Sequence, residues 1–239
     1  TAADQGAAVL IIEKGHLFGG TSATSGGTIW IPNNHLIAPA GGADNAEDAE
    51  RYITALAEGF SSPERIQDFI TAMPINHERQ GDTCLSARMA LRRNCCHCIE
   101  GAFIAAAALL LHGERALLLD FQARGDDDHV VALFRRGGTW GAISKSNSIW
   151  LRWRDPVYGS PRELAMSYFH EYVNEERKTL RAISRPFDIG RYDPDTWMTA
   201  ESDCWDMANE IDRSPHVPLI SAEQARRLKP RDRFETKAG

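Results

Sequence analysis

The stretch that decides the fold is CCHCIEGAFIAAAALLLHGERALLLDFQARGDDDHVVALFRRGGTWGAISKSN, residues 95–147. Its period changes half-way along. From Cys98 to Leu111 the residues are small or apolar apart from Glu100, which predicts a buried helix, and Gly113 supplies its stop. Beyond Gly113 the pattern is that of strands, over 115–122, 129–136 and 139–146. Gly137-Gly138 joins the last two, because glycine accepts the positive φ of a two-residue hairpin turn. A helix followed by antiparallel strands is an α+β arrangement. It places Cys98 at the head of a helix and His129 at the head of a strand.

Working outward, Ser62-Pro63 opens a helix with Ser as cap and Pro as first residue, ending before Pro74. Ser86 to Asn94 predicts a short helix. PRELAMSYFHEYVNEE, residues 161–176, predicts an amphipathic helix with Leu164, Tyr168, Phe169 and Tyr172 on one face. Two further helices are expected near 197–211 and 221–228. At the other end, Ala8–Glu13 reads as a buried parallel strand. Gly19–Pro39 is loop-like, and Asn45–Glu58 has helical spacing. A βα fragment followed by a helix-then-antiparallel-sheet unit is a composite of two halves. The junction is expected between Gly59 and Pro74, giving domains at 1–60 and 61–239. The opening TAADQGAA reads as the end of a helix, so the chain is expected to lack its true beginning.

Composition excludes several classes. With 239 residues, the net charge is −6 and the pI about 5.8, so there is no basic face for nucleic acid. No apolar run approaches the roughly 18 residues that span a bilayer. The five cysteines are odd in number and crowded at Cys95, Cys96 and Cys98, which is not a secreted disulfide framework and points to a reducing cytoplasm. Cys95-Cys96-His97-Cys98 cannot turn all its ligands to one zinc ion from a helix start, and no second Cys pair follows. The same four residues fit C-x-x-C but lack the βαβ context of a thioredoxin site. No metal is expected. Oligomeric state is not legible.

The chemistry-bearing residues are Cys98 and His129. A Cys at a helix N-terminus meets the positive end of the helix dipole, which stabilises its thiolate, the nucleophilic form. A His at a strand head can act as base and then as acid to a leaving group. A two-residue turn at Gly137-Gly138 puts Ser146 opposite His129, with Ser144 on the same face. A three-residue turn puts Asn147 there instead. Asp126-Asp127-Asp128 reads as a solvated turn, and Trp150, Trp153, Tyr158 and Tyr168 are candidates to line a cleft. His170 and His216 are isolated and read as structural.

From about Ser62 onward the chain resembles the transglutaminase-like (papain-like) Cys-His proteins. In that superfamily a catalytic Cys opens a long helix with a small residue four positions later. A Gly ends the helix, a strand follows, and the next strand begins with His. Cys98, Ala102, Gly113 and His129 fall in those places. The resemblance implies an α+β transglutaminase-like fold with a central Cys-bearing helix on a small antiparallel sheet. It also implies amide hydrolysis or acyl transfer through a Cys98 thioester, with His129 as acid and base, a peptide or small amide substrate and no cofactor. The superfamily usually has Asp as third member; none occurs between His129 and Asp155, and Asn147 is the candidate. A non-catalytic binding module of the same fold is the other reading of this half.

The first sixty residues carry AAVLIIEKGHLFGGTSATSGGTIWIPNN, residues 7–34. This resembles FAD-dependent oxidoreductases of the fumarate reductase and 3-ketosteroid dehydrogenase type. There the acid at the strand end binds the adenosine ribose, and the glycine- and hydroxyl-rich loop contacts the flavin side. By position the candidates are Glu13, Gly20, Thr21, Ser22, Gly26 and Gly27. The family's GxGxxG loop would fall before Thr1, so the segment is expected to be an incomplete Rossmann-like FAD-binding fragment. An FAD-dependent oxidoreductase is the function it implies.

Overall fold

The computed structural model describes Phe60 and residues 62–79 and 81–238. The expected Ala8–Glu13 strand, the glycine-rich loop and the Asn45–Glu58 helix lie outside these residues. Helix α1 (Pro63–Ala72) begins as its sequence dictates. Ser62 is extended, its side chain accepts from Arg65 N, and Pro63 occupies the first turn, where its missing N–H costs nothing. Helix α2 (Ala87–Arg93) is capped by Ser86, whose hydroxyl accepts from Met89 N, and ends at Asn94 in the left-handed region. Helix α3 (Cys98–Leu111) is buried at every position from Glu100 to Leu109. A helix apolar on all sides can only be central. Gly113, at φ +78, turns the chain out of it.

Strand β1 (Leu117–Ala123) pairs with β2 (His129–Arg136), and β2 with β3 (Thr139–Ile143), all antiparallel. Then come β4 (Arg154–Tyr158), α4 (Pro161–Met166), β5 (Leu180–Ser184) and β6 (Phe187–Asp188). Helix α5 (Trp205–Asp212), β7 (His216–Pro218), α6 (Ala222–Arg226) and α7 (Arg233–Ala238) complete the order. The sheet runs β4-β3-β2-β1-β5-β7, with β6 also against β1.

Strand alternation sends side chains to opposite faces. Leu118, Val130, Ala132, Phe134 and Ile143 share a core with α3, Ile66 and Ile70 of α1, and Met207 and Ile211 of α5. Leu117, Leu119, Phe121, Val131, Leu133 and Ala142 form a second core with Leu164, Tyr168, Phe169 and Tyr172. The described domain is thus α+β with an antiparallel sheet covered on both faces.

The sequence reading departs from the structure at identifiable places. The expected helix over 161–176 ends at Met166, although its four apolar positions are all buried. Beyond Met166 the amides of Ser167, Tyr168 and Phe169 bond to the third residue back rather than the fourth, and the Ser167 hydroxyl donates to Leu164 O. Both tighten the chain out of α-helical geometry. The helix expected from 197 starts at Trp205. Strand β4 carries Pro156, which argues against a strand in sequence and is tolerated because β4 is at the sheet edge. Strand β5 has no clean polar–apolar alternation, so its sequence alone does not predict a strand.

One close approach ties helix to sheet. A Cβ added at Gly101 would lie 2.7 Å from Lys145 Cβ. Lys145 itself is buried and reaches over to α1, donating from Nζ to Ile70 O at 2.8 Å and to Met73 O. Those are C-terminal carbonyls of α1, which a cation stabilises. Gly101→Ala is expected to cost about 1–3 kcal/mol by overpacking, read as a lower urea midpoint with unchanged slope. An unaltered midpoint would show that α3 and the Lys145 segment are not held this closely.

Candidate functional site

The site grows from the N-terminal turn of α3. His97 is its N-cap and Cys98 its first residue. The Glu100 side chain, fully buried, accepts hydrogen bonds from Leu85 N (2.9 Å), His97 N (2.9 Å) and Thr83 Oγ1 (3.0 Å). Asn76 Nδ2 lies 3.1 Å from each carboxylate oxygen, and His97 Nε2 is 3.3 Å from one of them. Burial works to raise the Glu100 pKa, but the His97 imidazole and these amides outweigh it and hold the carboxyl below its ordinary value. The charge also sits in the first turn of α3, where the helix dipole favours it. His97 Nε2 donates to Thr83 O at 3.0 Å, so the ring is held between the 76–85 loop and the helix start.

Beside this anchor lies the Cys98 thiol, half-buried and in no disulfide. Burial alone would raise its pKa. Hydrogen bonds with His129 and His97, and the charges of both rings, outweigh that and lower it to about 6. The other four thiols move the opposite way. Burial pushes Cys96 up to about 12 and Cys204 up to about 11, and it raises Cys84 and Cys95 too. Burial alone would lower His97, but its hydrogen bonds to Cys98 and Glu100 and their charges raise it.

His129, at the head of β2, is buried and paired across the ladder with Phe121, whose ring lies 6.2 Å away. Its Nε2 is 2.7 Å from Ser144 Oγ. The pairing Arg136↔Thr139 leaves Gly137 and Gly138 as a two-residue turn, both at positive φ. That register gives the imidazole to Ser144, the same-face residue. It corrects the expectation that Asn147 receives this bond. Asn147 lines the same cleft without a hydrogen bond to His129 among the described contacts.

Cys98 and His129 open into a cleft of about 1120 Å³. Its walls include Glu78, Asp127, Trp150 and His170. Asp126, Asp127 and Asp128 are exposed, as a solvated turn should be. Of the aromatics proposed for the cleft, Trp150 lines it and stands exposed, whereas Trp153 stacks on Phe134 and Tyr168 is in the core. His170 lines the cleft; His216 instead joins a buried pair, with Nε2 3.0 Å from Asp120 Oδ2. Among the described residues no group of three His, Cys, Asp or Glu side chains could hold a metal ion.

Sequence reasoning singled out Cys98 and His129, which line one cleft, and passed over Glu100, His97 and Gln67. Gln67 of α1 brackets the Ser144 backbone, with its Oε1 accepting from Ser144 N and its Nε2 donating to Ser144 O, both at 2.9 Å. A Glu three residues after an N-cap was the available signal for Glu100. Nothing local could have linked Gln67 to Ser144, which lie 77 residues apart. Glu13, Gly20, Thr21, Ser22, Gly26 and Gly27 lie outside the described residues.

Residues 1–77 match the family model described as FAD binding domain. A 3-oxosteroid 1-dehydrogenase of Mycolicibacterium smegmatis is 35% identical over 74 residues, 31% of this chain and 13% of the relative. A 4-oxocyclohexanecarboxylate 2-dehydrogenase of Sinomonas cyclohexanicum is 42% identical over 71 residues, 30% and 12%. A 3-oxosteroid 1-dehydrogenase of Comamonas testosteroni is 42% identical over 69 residues, 29% and 12%. The chain therefore spans about an eighth of the length of these relatives. The matches support the flavoprotein reading of the N-terminal segment and lend no support to the Cys-His resemblance. The family match also runs past residue 60, through α1 and up to His77 at the cleft wall.

Glu100 offers a direct test of the anchor. Its folded pKa lies below the ordinary 4.5, so its contribution to stability is fully present above that pH and is lost as pH falls through the folded value. Glu100→Gln is expected to cost on the order of 2–3 kcal/mol at pH 7, the scale of hydrogen bonds to a charged group. The gap to the parent protein should narrow below pH 4.5 in urea titrations. A pH-independent gap would mean that the carboxylate charge is not what holds the loop.

Proposed function

We propose that the domain carrying Cys98 performs cysteine-dependent acyl chemistry on an amide, by hydrolysis or acyl transfer, and has a transglutaminase-like fold. The observation that carries this reading is the Cys98 thiol at the first position of a buried helix, lining the same cleft as His129. The thiolate attacks the amide carbonyl carbon, forming a C–S bond and an oxyanion. First-turn amides of α3 have no intrahelical acceptor, and the Cys98 N–H is the candidate oxyanion donor. Protonated His129 gives its proton to the leaving nitrogen as the C–N bond breaks, leaving a thioester and a free amine. His129 then takes a proton from water or from an acceptor amine. That nucleophile displaces Cys98, giving an acid or a new amide and restoring the thiolate beside protonated His129. The substrate class is a peptide or small amide.

A second reading rests on the match of residues 1–77 to the FAD binding domain family. In it the N-terminal segment is part of an FAD-dependent oxidoreductase, with Glu13 on the ribose and Gly20, Thr21, Ser22, Gly26 and Gly27 on the flavin side. The described part of the matched segment is used otherwise: Ile66 and Ile70 are core, and Gln67 and the Ile70 and Met73 carbonyls hold Ser144 and Lys145. Flavin absorbance retained by the purified full chain would favour this reading.

The test of the first reading is iodoacetamide alkylation of each cysteine against pH, located by mass spectrometry. The thiolate of Cys98 is present above about 6, so its rate should fall as pH drops through that value. Cys95, equally half-buried, should react only near or above the ordinary thiol range. His129→Ala should raise the apparent Cys98 pKa. If Cys98 alkylates no faster than Cys95 at pH 7, acyl chemistry at this thiol is ruled out. A reactive Cys98 that acylates with no amide or ester probe would leave a binding module.

A further inference from the structure

We infer that Ser144 is the positioning residue of His129 and sets its tautomer, taking the place an Asp or Asn would hold. The inference rests on Cys98 and His129 being the reacting pair. Ser144 Oγ lies 2.7 Å from His129 Nε2 and donates to Leu151 O at 2.9 Å. A carbonyl oxygen only accepts, so the one hydroxyl proton of Ser144 is spent on Leu151. Towards His129 the hydroxyl can offer only a lone pair. The neutral imidazole therefore carries its proton on Nε2, which leaves the Nδ1 lone pair for the thiol.

The hydroxyl is in no position to swing away. Ser144 is 1% exposed, and the Gln67 amide brackets its backbone on both sides. Gln67 Nε2 is steadied in turn by Thr71 Oγ1 at 3.0 Å. Leu151 O is presented by the short turn Ile149–Leu151, whose last amide bonds to Ser148 O. The relay thus runs His129 Nε2–H to Ser144 Oγ–H to Leu151 O. It orients the ring as a carboxylate would but adds no formal charge, so on the Ser144 side the imidazolium meets only dipoles, and its charge partner is the Cys98 thiolate.

The experiment is long-range proton–nitrogen NMR on the full chain with 15N-labelled imidazoles, at a pH where His129 is neutral. In the parent protein, His129 Nε2 should show the shift of a protonated nitrogen and Nδ1 that of an unprotonated one. In Ser144→Ala the preference should collapse towards a mixture. Alkylation of Cys98 at pH 5, below its pKa of about 6, should slow about tenfold, equivalent to about one pKa unit. Ser144→Thr, which keeps the hydroxyl, should restore both. A parent His129 protonated on Nδ1, or an unchanged tautomer in a folded Ser144→Ala, overturns the inference. If Ser144→Ala does not fold, the parent tautomer alone decides. Because the tautomer is read without any substrate, a chain inert towards amides but with the expected shifts defeats the acyl-chemistry reading and leaves this one standing.

Discussion

The interaction on which the site depends is the buried Glu100 carboxylate at the head of α3. A charge with a fully buried side chain is tolerable only when its lone pairs are all engaged. Here two backbone amides, a hydroxyl, a side-chain amide and an imidazole meet it. Those donors come from the 76–85 loop and from the residue preceding Cys98. The carboxylate therefore does more than cap a helix. It fixes the loop that forms one wall of the cleft relative to the first turn that carries the thiol, and it holds His97 against that thiol.

From that anchor the electrostatics of Cys98 follow. Four of the five thiols move up, with burial the first cause at each; Cys98 moves down because two imidazoles outweigh its burial. The imidazoles arrive from different directions. His97 comes from the same chain segment, and His129 comes from the sheet by way of Ser144 and Gln67. A thiolate supported from both sides loses only part of its stabilisation when one support is removed.

The family match and the described domain do not share a boundary. Residues 62–77 align with the FAD binding domain family, yet α1 is packed into the first core. Gln67 clamps the strand end that bears Ser144, and Asn76 completes the Glu100 shell. The physical requirement on such a segment is modest: an amphipathic helix with Ile66 and Ile70 inward, and carbonyls free at its C-terminus to receive Lys145. A capped, amphipathic helix from another context meets it. The polar contacts of Gln67 and Asn76 are more specific, and they are what make this segment part of the site.

By itself the sequence determined the central helix, its ends at Cys98 and Gly113, the β2–β3 hairpin and the pairing of a helix-head thiol with a strand-head imidazole. These follow from local rules of period, capping and turn chemistry, which act over a few residues. It also carried the glycine- and hydroxyl-rich segment whose family match was found. Local rules failed where long-range packing overrode them. The Pro-bearing edge strand β4, the poorly alternating β5 and the early end of α4 depend on neighbours distant in the chain. The same holds inside the site. Whether His129 meets Asn147 or Ser144 turns on one residue of hairpin length, and a shift of one residue reverses every side chain in a strand. Only the tertiary structure decided that register, together with the Gln67 clamp and the five donors on Glu100, because each is a contact between segments that the sequence keeps apart.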